Sequence, residues 1–255
     1  MLLWTVCGLA GIAAFGLLMD IITLAFGQGV DGPVAAANHV LAAVGAVLLA
    51  ATARTLRHPR VASAPQPPSA VPRPVQFAAW AGTVAFFPYA GMKLTWALGG
   101  TFAHTSGADM REISERNGAS GIWLTLESWG LDATVLLAAL GVFLLWGLVR
   151  PWGRVFPRWT PGLSGRRVPR WLLLVPAVLG AATLAPYGVL GIGYCSLATV
   201  GVVTMRRGDF PSSGDALTVA WIGMVAFAVY GVALVLAARS YWLRTSLRQE
   251  HDDAA

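Results

Sequence analysis

Five residues in this chain put a charge or a titratable ring inside otherwise apolar stretches: Asp20, His39, Lys93, Glu127 and Asp132. Ionisable groups surrounded by hydrocarbon are costly and face protein or water, which makes them the first place to look for chemistry. Their depths agree. Asp20 lies seven residues before Gly27, His39 six after Pro33, Lys93 seven before Gly100 and Glu127 six after Gly121. Each of those Gly and Pro residues bounds an apolar run, so at helical rise all four side chains sit roughly 10 Å below one surface. Asp132 falls about one and a half turns deeper than Glu127. A carboxyl in such a layer resists losing its proton, because desolvation disfavours the charged form. An acid of that kind can protonate an alkene or an epoxide, and nearby ring faces can stabilise the carbocation that results.

Rings are present at the right levels. Phe86, Tyr89, Lys93 and Trp96 recur at helical spacing and form one stripe. In the next apolar run Trp123, Glu127 and Thr134 share one face, while Thr125, Ser128 and Asp132 share another; Trp129 lies beside them. Tyr187 and Trp221 reach comparable depths further along. The expected site is a pocket with Asp20, Glu127 or Asp132 as proton donor. His39, Lys93, Tyr89, Trp96, Trp129, Tyr187 and Trp221 would line it for a hydrophobic small-molecule substrate. Plainer explanations compete: Lys93 can pair with Asp20 or Glu127 to fix helix packing, His39 can be a satisfied packing residue, and single Trp residues commonly anchor at interfaces.

The elements that must position these groups are membrane spans. Of the 255 residues 56% are hydrophobic and 12% charged, about half the charge of an average soluble domain, with a mean hydropathy of +0.63. Apolar runs cover residues 2–26, 34–53, 75–98, 121–149, 171–203 and 216–238, each long enough to cross about 30 Å of hydrocarbon. The expected fold is all-α: a polytopic transmembrane bundle of about six spans within a single transmembrane domain, 1–255. Pro186 with Gly188, Gly191 and Gly193 predicts a kink or an irregular end in the over-long fifth run. Thirteen of the 17 Arg fall in loops two and four and in the tail, and the other side holds Arg111, Arg116, Arg206 and Arg207 beside acids. By the positive-inside rule both termini are cytoplasmic and the protein belongs in the cell inner (plasma) membrane. Residues 59–74 contain six prolines and read as a flexible cytoplasmic linker. The outer loop 101–120 holds a short helix over 109–117, and the Arg- and Trp-rich segment 151–171 reads as an elbow at the membrane interface.

Several chemistries lack their residues. No Cys-x-x-Cys occurs, and four His without a ligand motif point to no metal. No phosphate-cradling glycine loop is present, and no cofactor is expected. The basic excess lies in short loops between apolar runs, which favours membrane lipid rather than nucleic acid as its partner. Gly162-Leu163-Ser164-Gly165 matches an intramembrane serine-protease motif but sits in a basic loop.

In length, helical character, absence of metal motifs and reliance on intramembrane acids, the chain resembles small bacterial integral-membrane terpene cyclases. That resemblance implies acid-initiated cyclisation of a prenylated or polyprenyl substrate without a cofactor. The strings Trp96-Ala97-Leu98-Gly99-Gly100 and Arg166-Arg167-Val168-Pro169-Arg170-Trp171-Leu172 are similar to those of uncharacterised bacterial multi-pass proteins. A proton-coupled transporter and a non-catalytic accessory protein are the alternatives.

Overall fold

The computed structural model describes residues 71–116, 125–126, 129–158, 160 and 164–252. Spans one and two, most of the linker, and Asp20, His39, Trp123, Glu127 and Ser128 lie outside the described residues.

Helix α1, Arg73–Ala97, opens with a proline in its first turn, where the missing N–H costs no intrahelical bond. It closes at Gly99, whose φ of +82° is the left-handed conformation glycine adopts without strain. A two-stranded hairpin follows, β1 Thr101–Phe102 and β2 Thr105–Ser106, with Thr101 opposite Ser106. Its turn is unusual in composition. Ala103 and His104 both have positive φ, 50° and 53°, where such two-residue turns favour Asn-Gly. Helix α2, Gly107–Arg116, begins with a reciprocal cap. The Asp109 N–H donates to Ser106 Oγ (3.2 Å), and the Ser106 N–H donates to Asp109 Oδ2 (2.9 Å).

Helix α3, Ala133–Val149, ends in a 3-10 turn at Pro151–Gly153. The chain then folds into a narrow loop bridged between Val155 and Arg167, which enters α4, Arg170–Thr199. The last helix, α5, runs Ser213–Asp252. The four long helices alternate in direction. α5 packs along α4 and α1, α3 lies against α1, and a core of Ala79, Phe86, Leu145, Leu148, Tyr230, Ala233 and Tyr241 fills the centre.

The tightest seam joins α4 to α5. A Cβ on Gly188 would stand 2.2 Å from the Ala228 backbone nitrogen, and one on Gly231 would stand 2.4 Å from that of Ala185. Small residues one turn apart on both helices thus let the backbones touch, as in membrane helix pairs. In the fifth run the irregular end is not found at these residues. Pro186 and Gly188 lie within a continuous helix, and the glycines at 188 and 191 serve close packing.

The apolar runs at 75–98, 171–203 and 216–238 become helices within a few residues of their expected starts, with α5 continuing well past 238. The run at 121–149 does not form one helix throughout. Gly130, at φ +74°, turns the chain, and an extended Asp132 precedes a helix that starts only at Ala133. Two described helices are long and apolar enough to cross a membrane, Arg170–Thr199 and Ser213–Thr245, and Ala133–Val149 is a shorter apolar one. In their most apolar windows only 33% and 39% of residues are buried. Large side chains such as Val175, Leu179, Val189, Leu190, Val232 and Leu243 face outward.

Candidate functional site

Three of the ten residues singled out above meet where α1 ends and α3 begins. Lys93 Nζ lies 3.7 Å from Asp132 Oδ2, the two side chains being 23% and 12% exposed, and 5.9 Å from the Trp96 ring centroid. Helical spacing explains this on α1, where Lys93 and Trp96 are three residues apart and share a face. On α3 the cause is capping. Asp132 Oδ1 accepts the backbone N–H groups of Thr134 (2.7 Å) and Val135 (3.0 Å), together with the Thr134 hydroxyl. A carboxylate there satisfies orphan donors and meets the positive end of the helix dipole. Asp132 therefore caps the start of a helix, where the expectation put it about one and a half turns beyond Glu127 within one continuous span.

Trp96 is buried beneath the hairpin. Its indole N–H is shared between the carbonyls of Thr105 (3.0 Å) and Phe102 (3.3 Å), and its ring neighbours Phe102 and Phe210. Helix α2 closes over this spot, leaving a hollow of about 30 Å³ among Trp96, Gly107, Met110, Arg111, Ser114 and Asp132. That volume holds a water or two; hydrocarbon ligands occupy several hundred Å³.

One turn away on α1, Tyr89 enters a second group. Phe227 of α5 lies between Tyr89 (5.5 Å between centroids), Tyr187 of α4 (5.8 Å) and Phe86 (6.4 Å), and Phe86 in turn meets Tyr230 at 4.8 Å. These separations are those of rings packed on one another. Phe227 and Tyr230 were missed in the sequence because they lie in a uniformly apolar run, although their three-residue spacing puts both on one face.

The remaining expected lining residues go elsewhere. Trp129 stands 70% exposed at the turn before α3. The Trp221 indole donates to Thr199 Oγ1 (3.1 Å), tying α5 to the end of α4. Neither joins the two groups above.

A larger hollow of about 230 Å³ lies between the hairpin, α2 and the segment leading into α5, edged by His104, Asp109, Glu112, Arg116 and Asp209. Beside it His104 Nδ1 meets Asp215 Oδ1 at 2.8 Å, and the Ser212 hydroxyl donates to Asp215 Oδ2 (2.6 Å). The Ser212 hydrogen bond, followed by the bond and charge of His104, holds the Asp215 carboxyl below the usual range. The Ser106 hydroxyl does the same for Asp109, helped by the Ser106 N–H. Among the described residues no cluster of three His, Cys, Asp or Glu could hold a metal ion. Compared with known protein families, with curated proteins and with solved structures, the chain matches none.

Proposed function

We propose that the protein is a multi-pass inner-membrane protein of about six spans with cytoplasmic termini, acting on a lipid-soluble substrate whose polar head is held at Lys93. The outward-facing apolar residues of α4 and α5 support the membrane part. Soluble monomers rarely expose contiguous apolar surface beyond a few hundred Å². The observation that carries the site is the meeting of Lys93 and Asp132 beside Trp96. A bare ammonium would repel a carbocation; paired with Asp132, Lys93 suits a polar head group better than a reacting chain. The proposed chemistry is acid-initiated cyclisation of a prenylated or polyprenyl substrate. Because Asp132 caps α3 through several hydrogen bonds, we assign it to positioning, and the proton donor to Asp20 or Glu127.

A second reading, a membrane protein without chemistry, draws support from the same geometry: a capped and paired Asp132, close-packed rings and a 30 Å³ hollow. One experiment separates the two. Membranes containing the wild type or the Asp20→Asn, Glu127→Gln or Lys93→Gln variants are incubated with a prenylated aromatic substrate. Cyclic product is expected from the wild type, falling about 10²- to 10⁴-fold when the acid is neutralised. Absence of product from folded wild type, or product undiminished from the wild-type level in both acid variants, removes the enzyme reading.

A further inference from the structure

At the opposite end of the bundle from Lys93, three arginines gather, and among the described residues no acid pairs with them. The Tyr241 hydroxyl, buried, donates to the Gly153 carbonyl (2.9 Å), pinning α5 to the turn after α3. Arg154 directly follows Gly153, Arg244 lies three residues beyond Tyr241 on the same face of α5, and Arg170 ends the loop arm whose Val168 bonds to Arg154, so that all three charges bear on the phenol. They come from three elements: the loop after the 3-10 turn, the first residue of α4, and α5.

Each is anchored. The Arg154 carbonyl accepts the Val168 N–H (2.9 Å), fixing the loop's two arms. Arg244 donates through Nη2 to the Leu148 carbonyl (2.8 Å) and through Nε to the Ser240 carbonyl (3.1 Å). All three side chains are half-buried, and among the described residues none forms an ion pair. Their surroundings offer little compensation, since residues 133–208 contain eight Arg and no Asp or Glu.

Like charges held together, partly out of water, favour an anion among them. The apolar rim says where that anion comes from. Trp171, next to Arg170, is 66% exposed, Val155 also faces outward, and Phe143 stacks on Trp152 nearby, the mixture that marks a lipid interface. We propose that Arg154, Arg170 and Arg244 form a site for the phosphate of an anionic phospholipid, in the leaflet that covers the Tyr241 end. The inference rests on the membrane-spanning part of the function proposed above and is independent of its enzymatic part.

The test uses the full chain in an uncharged detergent, titrated with phosphatidylglycerol, phosphatidylcholine or inorganic phosphate. The readouts are tryptophan fluorescence and melting temperature. Phosphatidylglycerol is expected to bind and raise the melting temperature, with phosphatidylcholine doing neither. Arg154→Gln and Arg170→Gln should each weaken the phosphatidylglycerol affinity roughly fivefold. Arg158→Gln, exposed on the same loop, serves as control and should change it little. Arg244 is left intact because its bonds to α3 make loss of folding a competing outcome. Equal effects of the two lipids would overturn the proposal. So would a phosphatidylglycerol response that persists in a folded Arg154→Gln/Arg170→Gln double variant. A full response to inorganic phosphate alone would overturn the lipid assignment. Resistance to carbonate extraction from membranes tests the spanning reading separately, so failure of one is distinguishable from failure of the other.

Discussion

The two ends of the helical bundle balance charge in opposite ways. At the hairpin end three of the four described aspartates have side-chain partners within the chain: Asp109 with Ser106, Asp132 with Lys93 and Thr134, Asp215 with His104 and Ser212. At the Tyr241 end arginines gather round one phenol, and Arg244 donates to two carbonyls and a hydroxyl instead of to an acid. Tyr241 stands 26 residues beyond Asp215 along α5, about 39 Å of helix, so each end is set by its own neighbours. The lesson is that an end neutralised from within can be rigid without a ligand, whereas one left positive is suited to binding an anion.

The strongest way to break this comparison is to remove the seam that both ends share. Gly188→Ala would bring a methyl carbon within 2.2 Å of backbone on α5, and Gly231→Ala within 2.4 Å of backbone on α4. Each is expected to cost about 3 kcal/mol or more, lowering the melting temperature in detergent and loosening both ends together. Gly193→Ala, with nothing within 4 Å, should be neutral or slightly stabilising. Equal effects of the 188 and 193 substitutions would mean that the seam does not hold the helices.

Next in size is a test confined to one end. Asp132→Ala removes both the cap and the ion pair and should destabilise by about 1–2 kcal/mol. Asp132→Asn retains capping ability and should recover most of that, the remainder being the pairing with Lys93. If Asn and Ala behave alike, the charge outweighs the cap. At the other end Tyr241→Phe deletes a buried hydrogen bond to Gly153, at a cost of about 1 kcal/mol, and leaves the hairpin end unchanged. Hydrogen exchange resolved along the chain would show which end loosens in each variant.

These local devices differ in how far the sequence announced them. The starts of α1, α4 and α5 were legible because long apolar runs meet Pro, Arg or polar boundaries. The cap at Asp132 was legible in principle, as Gly130-Leu131-Asp132 ahead of an apolar run is a helix-start signal, but the apolar residues before it suggested one continuous span. The hairpin at Thr101–Ser106 carried no turn signature, since Ala103-His104 stands where Asn-Gly would be expected. The contact of Lys93 with Asp132 followed only partly from depth. Lys93 belongs to the expected layer and Asp132 to a level about one and a half turns below it, and the expected partners of Lys93 were Asp20 and Glu127. The convergence on Tyr241 was hidden altogether, because side chains from three separate elements meet there and spacing within one element cannot reveal it.

The smallest expected effect concerns pH, and it separates the two capped aspartates of the hairpin end from each other. Asp215 and Asp109 both hold their folded carboxyls below the usual range, the first through Ser212 and His104 and the second through Ser106. For a carboxyl lowered by folding, the associated stability is present above the unfolded value and is lost as pH falls through the folded one. Acidification through and below the ordinary carboxylate range should therefore weaken the starts of α5 and α2, while the arginine end keeps its charge. His104→Gln removes one of the two side-chain partners of Asp215 and none of those of Asp109. The acid transition at the start of α5 should move upward, toward the usual carboxylate range, with that at α2 unchanged. Amide signals near Ser212 and Ser106, followed by NMR as pH is lowered, give the two transitions side by side. If both move together in His104→Gln, the hairpin end titrates as one coupled unit, and its acids are not neutralised pair by pair.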